Sequence, residues 1–326
     1  MPRLPRRTLL AGLAVAAAQP ARAQPAAWPS RPIRLLVPFP GGGAADVVAR
    51  LVAAQLSAAL GATVVVENRP GGSTVIAAEA AARAAPDGYT LLFASGATMS
   101  SVPALLPSIP YDPARDFAPI ALISRLPFFI FVPARLEATD LGGLIALARA
   151  RPGGISYGTN GIGTIGHLGM ELLSRAAGVE MVHVPYRAFG PALTDMLAGR
   201  VQVIMGDLTV MGGALRAGEI RALAAALPER SGFLPEVPTV AEVAGLPEFD
   251  ASAWFALFAA AAVPQPIRQR LTEAMLAWLA TAEAREALGR IGQVPLGGGP
   301  DPLRALIESE RARFGQVIRE AGIRLE

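Results

Sequence analysis

LLVPFPGGGAADVVARLVAAQL, residues 35–56, decides the fold class, because it reads as a buried strand, a glycine turn and a helix that opens directly onto that turn. Leu35, Leu36 and Val37 form the short apolar run expected of a parallel strand covered on both faces. Pro38 and Pro40 stop the strand. Gly41, Gly42 and Gly43 carry no Cβ, so backbone N–H groups can converge there and a ligand can approach the chain closely. Asp46 stands where a first-turn or capping acid belongs, and Val47, Val48, Leu51, Val52 and Leu56 follow at helical spacing. Free amides at the start of such a helix attract anions.

Working outward, the same unit recurs at residues 155–177, as a strand to Gly158, a glycine-rich loop over 159–166 and a helix from His167 to Ala177. Between the two units lie strands at 63–67 and 89–94, a turn at 68–72, a helix at 74–84, strands at 120–123 and 128–132, and a helix at 143–150. The polar segment 95–101 falls at the carboxyl end of its strand, where ligands collect in open α/β sheets. Beyond the second unit come strands at 182–184, 201–205 and 221–225, a helix at 191–197, a proline-rich surface crossing at 228–247 and a strand at 254–262. Helices at 267–279, 282–291 and 302–321 finish the chain without a further strand. This alternation predicts an α/β protein with two domains, each a mostly parallel sheet flanked by helices. The final helices return to the first domain, so residues 24–125 with 255–326 make domain 1 and 126–254 make domain 2. The chain then crosses twice, near 124–133 and near 251–264.

Arg6 and Arg7 precede an apolar run over residues 9–18, and Ala21-Arg22-Ala23 forms a small-x-small cleavage site, so residues 1–23 read as a bacterial signal peptide. That run is too short to span a bilayer. The adjacent arginines leave Sec and twin-arginine (Tat) export both open, and either delivers the chain to the periplasm. The full chain has 29 basic and 26 acidic residues; removing Arg3, Arg6, Arg7 and Arg22 leaves 25 against 26. No basic surplus remains to suggest nucleic acid. There is no lysine, which excludes a Schiff base and a Walker-type phosphate loop. Cysteine is also absent, so core packing alone must hold an exported fold.

Gly161-Ile162-Gly163-Thr164-Ile165-Gly166 matches GxGxxG, but a dinucleotide site needs an acid at the end of the following strand, and that strand ends in Pro185-Tyr186-Arg187 with Glu180 before it. No GxSxG elbow surrounds any serine. His167 and Glu171 stand one helical turn apart, yet two ligands make no metal site. Hence no catalytic residue, metal or cofactor is expected, and the chain reads as a binding protein rather than an enzyme. His167 is expected to be a first-turn donor beside its loop and His183 a structural strand residue. Met205 and Met211 read as core.

Several segments together resemble the Bug family of extracytoplasmic solute receptors, the binding components of tripartite tricarboxylate transporters. They are WPSRPIRLLVPFPGGGAADVVAR from Trp28, VENRPGG from Val66, APDGYTLL from Ala85, IPYDPARDFAPI from Ile109, YGTNGIGTIGHLGMELL from Tyr157, HVPYRAFGPALTDMLAGRV from His183 and PEVPTVAEVAGLPEF from Pro235. The resemblance implies a periplasmic-binding-protein-like clamshell that closes on a small carboxylate, serves the membrane components of a tripartite transporter, and works as a monomer. Carried over position by position, it implicates Phe39, Gly41, Gly42 and Asp46 in the first loop, Asn160, Gly163, Thr164 and His167 in the second, and Tyr186 and Asp207 along the cleft. Gly41 replaces the family's second proline, Ala45 its hydroxyl residue and Ala188 its glycine. An exported α/β enzyme and a ligand-sensing partner of a membrane regulator are the alternatives to a transport receptor.

Overall fold

The computed structural model describes residues 28–106, 108–246 and 249–324; the leader at residues 1–23 lies outside them. Among the described residues, eleven strands make two sheets: β1 Ile33–Val37, β2 Val64–Asn68, β3 Thr90–Ser95, β4 Phe117–Leu126, β5 Phe128–Pro133, β6 Ser156–Thr159, β7 Val182–Pro185, β8 Val203–Asp207, β9 Ile220–Ala225, β10 Ala253–Ala260 and β11 Val294–Gly298. The first sheet runs β11-β4-β10-β3-β1-β2 and the second β7-β6-β8-β5-β9.

The opening unit forms as expected. In β1 every residue but Arg34 is buried, and the helix Ala44–Leu60 buries Val48, Val52, Leu56 and Leu60 on one face before Gly61 ends it at φ 67°. The two-domain α/β class holds, but the sheets are mixed rather than mostly parallel. Four pairings are parallel, β1–β2, β1–β3, β6–β7 and β6–β8. Five are antiparallel, those of β10 with β3 and β4, β11 with β4, and β5 with β8 and β9. The reason is the crossings: β5 and β10 each enter their sheet from the edge facing the other sheet, so both run against neighbours that were built by βαβ turns. The C-terminal third also carries β11, which pairs along β4 at the rim of the first sheet. Its sequence, VPLGG, lacks a strand signature because proline and glycine are tolerated on an edge. The helices Leu208–Arg216 and Val240–Ala244 were likewise unexpected, the second held by a Thr239–Glu242 capping box inside the proline-rich segment.

Both crossings lie side by side. β4 ends at Leu126 and β5 begins at Phe128, while the return is laced by Ala251 N–H to the Ala226 carbonyl (2.9 Å) and Ala226 N–H to the Phe128 carbonyl (2.8 Å). One apolar core is continuous through them, with Leu126, Phe128, Ala251 and Phe255 all buried in it. Helices Gln265–Leu279 and Pro300–Ala321 return to the first sheet, burying Leu271 and Met275, and Leu303 and Ile307.

Candidate functional site

Strand direction decides where the glycine loops go. β3 and β4 point the same way, with Phe255 of β10 paired to both Ser95 and Ser124, so the carboxyl ends of β1, β2, β3 and β4 share the edge from which the chain leaves for the second sheet. In that second sheet Phe128, the arrival point, pairs with Asp207 at the end of β8, and β6 runs parallel to β8. The loop after β1 and the loop after β6 therefore occupy the two edges that the crossings join, which is where ligands bind in open α/β sheets.

The first loop is braced by its own acid. Asp46 is buried; its Oδ2 accepts from Gly42 N–H (2.9 Å) and Arg50 Nε (3.0 Å), and its Oδ1 from Asn68 Nδ2 (3.0 Å), which also reaches the Phe39 carbonyl (3.1 Å). Burial raises its pKa, but the hydrogen bonds from Arg50, Gly42 and Asn68 outweigh burial and leave it below the ordinary carboxylate value. Asp46 thus shapes the loop as an anion already neutralised by Arg50. Gly42 needs its positive φ of 84°, and a Cβ there would meet nothing within 4 Å. Gly41 would accept a Cβ at ordinary contact distance from Asn68 and Asp46, so neither space nor backbone conformation demands glycine there. Among the described residues, the amides of Gly41, Gly43, Ala44 and Ala45 donate to no protein group. Phe39 lies half-buried, edge-on to Phe255 at 6.3 Å.

The second loop is closed by internal bonds. Thr164 Oγ1 donates to the Gly161 carbonyl (2.8 Å), and Gly163 N–H donates to His167 Nδ1 (3.0 Å). The threonine hydroxyl and the Gly163 amide are therefore engaged within the loop, and His167 acts at Nδ1 as an acceptor rather than the donor expected from its place in the first turn. The amides of Ile162, Thr164, Ile165, Gly166 and His167 have no partner among the described residues, and the buried Oδ1 of Asn160 has none either. Gly166 and Gly169 are small because a Cβ would meet the Met205 carbonyl at 2.8 Å and the Met205 Sδ at 2.5 Å. Their role is to seat the helix Ile165–Ala177 on β8. The glycine spacing that mimics a dinucleotide motif is thus partly a packing pattern.

Across the seam, Ser101 Oγ donates to the Gly163 carbonyl (2.8 Å), and Leu105 packs with Leu168, Phe314 and Ile318. The polar segment after β3 is helical over 97–105, with Thr98, Ser100 and Ser101 buried; it carries the contact between the halves. Ser101 lies in the polar segment that the sequence placed at a strand's carboxyl end, but its individual role, like that of Asn68, was not legible because each works through a partner distant in the chain. Tyr186 donates to Asp195 Oδ2 (2.8 Å), which also pairs with Arg200; burial and then the Asp195 charge push the phenol up to about 12. Asp207 is buried and caps the helix Leu208–Arg216 through Thr209 N–H (2.8 Å). Burial raises its pKa. Glu171 accepts from Tyr157 Oη (2.5 Å), and no group of three metal-ligating side chains exists among the described residues. Two shallow cavities of about 190 and 290 Å³, beside Arg135 and Arg285, include no residue of either loop.

Two sheets joined by paired crossings, with amide-rich glycine loops at the joined edges, define a two-lobed solute-binding protein. The chain belongs to the TctC family, the tripartite tricarboxylate transporter family receptors, whose model matches residues 48–323. It is 38% identical to protein BugT of Bordetella pertussis over 92% of each chain. It is similar to an R. palustris protein solved with adipate (37% identity, TM-score 0.84, 91% of this chain and 99% of that one). MatC from Rhodopseudomonas palustris, solved with bound malate, is 32% identical with a TM-score of 0.79, over 89% of this chain and all of that one (100%).

Proposed function

We propose that this chain is an exported, monomeric receptor that captures a small carboxylate between its lobes and delivers it to the membrane components of a tripartite transporter, without catalysing a reaction. Residues 24–125 with 255–326 form one lobe and 126–254 the other, and the leader directs the chain to the periplasm. The observation that carries this reading is the pairing of two helix starts, at Ala44 and Ile165, whose first-turn amides are free. Helix N-termini favour an anion without a formal positive charge. The nearby acids Asp46 and Asp207 do not oppose one: the first is paired with Arg50, and burial favours the neutral form of the second. Adipate and malate in the related structures indicate the ligand class to test. Phe39, Gly41, Gly42, Asp46, Asn160, Gly163, Thr164, His167, Tyr186 and Asp207 form or support the binding surface, and several act by holding the loops.

A thermal-shift and calorimetry panel of malate, adipate, citrate, benzoate and aspartate, with NAD as the contrast, tests the proposal. A true ligand at a hundred times its dissociation constant adds about 2.7 kcal/mol of stability. Thr164→Ala breaks the loop-closing bond to Gly161 and is expected to weaken binding by about tenfold, the worth of one such bond. Gly42→Val, forced into a left-handed backbone, is expected to weaken it further. NAD binding, or carboxylate affinity indifferent to both changes, overturns the assignment.

A further inference from the structure

The two histidines that sequence reading leaves as separate structural residues form one unit. His167 on the helix Ile165–Ala177 and His183 on β7 stack with ring centroids 3.8 Å apart and planes 11° from parallel, and Tyr157 of β6 continues the stack 5.0 Å from His183. Each imidazole holds one end of the second loop. His167 Nδ1 accepts from Gly163 N–H at 3.0 Å. His183 Nε2 meets Thr159 Oγ1 at 2.7 Å, and that hydroxyl oxygen also accepts from Gly161 N–H at 3.3 Å. An amide can only donate, so His167 Nδ1 carries no proton and the ring is neutral with its hydrogen on Nε2.

We propose that His167 and His183 act together as the positioning pair of the second loop, two stacked neutral imidazoles that fix Gly161 and Gly163 and thereby aim the amides of Ile162, Thr164 and Ile165 at the ligand. The inference rests on the reading that those amides hold a carboxylate. It adds that the histidines serve as neutral braces, and that no imidazolium supplies charge to the anion. Burial opposes charge on either ring, and a proton on one opposes a proton on the other at 3.8 Å. Glu171 from the His167 helix and the Tyr157 phenol, bonded to each other, are the other titratable groups facing the pair; the Glu171 charge favours a proton on His183, and burial together with the neighbouring His167 outweighs it. A charged His167 would turn a donor towards the Gly163 donor and release the loop.

Nitrogen-15 correlation spectra of the ligand-free protein at neutral pH test this without any ligand. The expected result is a bare Nδ1 and protonated Nε2 on His167, with a slowly exchanging Gly163 amide. His183→Phe keeps the stack but removes the nitrogen, and Thr159→Val removes the hydroxyl at constant shape; each is expected to speed Gly163 and Gly161 amide exchange about tenfold, the loss of one hydrogen bond. His167→Asn, whose Oδ1 reproduces the acceptor, is expected to recover what His167→Leu loses. Calorimetry with malate and adipate should follow the same order. A protonated Nδ1 on His167, or exchange unchanged in both His183→Phe and Thr159→Val, overturns the proposal. A loosened loop with unaltered affinity refutes the claim that the pair serves binding. Failure of wild type to bind either acid counts against the proposed ligand class, and the exchange data then decide the pair's hold on the loop by themselves.

Discussion

Replacing Glu310 by glutamine removes a charge that the fold holds at a disadvantage. Glu310 lies on the helix Pro300–Ala321 with 4% exposure and faces Gly96 and Trp254 where β3 ends. No salt bridge reaches it among the described residues. Burial pushes its pKa up from 4.5 to about 7, with Trp254, Arg313 and Ser100 offsetting part of the rise and Asp250 adding to it. Between those two values the folded chain keeps a proton that the unfolded chain releases. Stability from this group is therefore complete below the unfolded pKa and is lost as pH rises through about 7. At about 1.4 kcal/mol per pKa unit, the accumulated loss by pH 8 is about 3 kcal/mol. Glutamine keeps the size and cannot ionise. Urea unfolding of both proteins from pH 4 to pH 8 is expected to show near-equal midpoints at the acid end and an advantage for Glu310→Gln that grows to about 3 kcal/mol at pH 8, with slopes unchanged. All other acids are common to both proteins and cancel. A difference that does not grow with pH refutes the reasoning.

Two further outcomes follow from the same geometry. Gly163→Ala places a methyl into Leu105 on a backbone at φ 75° and is expected to cost about 1–3 kcal/mol; adding Leu105→Ala should relieve the steric part only, so the double mutant's loss falls below the sum of the singles, and strict additivity in urea unfolding counts against the seam contact. For the leader, N-terminal sequencing of periplasmic protein is expected to start at Gln24, and a chain beginning at Met1 in that compartment contradicts export.

The strand, turn and helix at residues 33–60, the second such unit, the two crossings and the α/β class were all legible from periodicity, glycine placement and proline stops, because these are local properties of a chain segment. Family membership was legible for a related reason, since the loops are contiguous in sequence. What the sequence could not disclose were relations between distant residues. The antiparallel entry of β5 and β10 depends on which edge the chain leaves from, and β11 is a strand only because β4 offers it an edge. Donor direction behaved in the same way: Thr164 and Gly163 looked like anion donors, and only the folded loop turns the first onto the Gly161 carbonyl and the second onto His167. Asp46 was placed correctly at its helix start, and Arg50 one turn on neutralises it, but the Asn68 amide that ties it to the Phe39 carbonyl comes from the neighbouring strand. The histidine stack is the clearest case, for parallel pairing of β6 and β7 sets His183 beside Tyr157, and the rings of His167 and His183 meet only when the helix Ile165–Ala177 packs over them. Local spacing determines which backbone groups can bind; long-range pairing determines which of them remain free to do so.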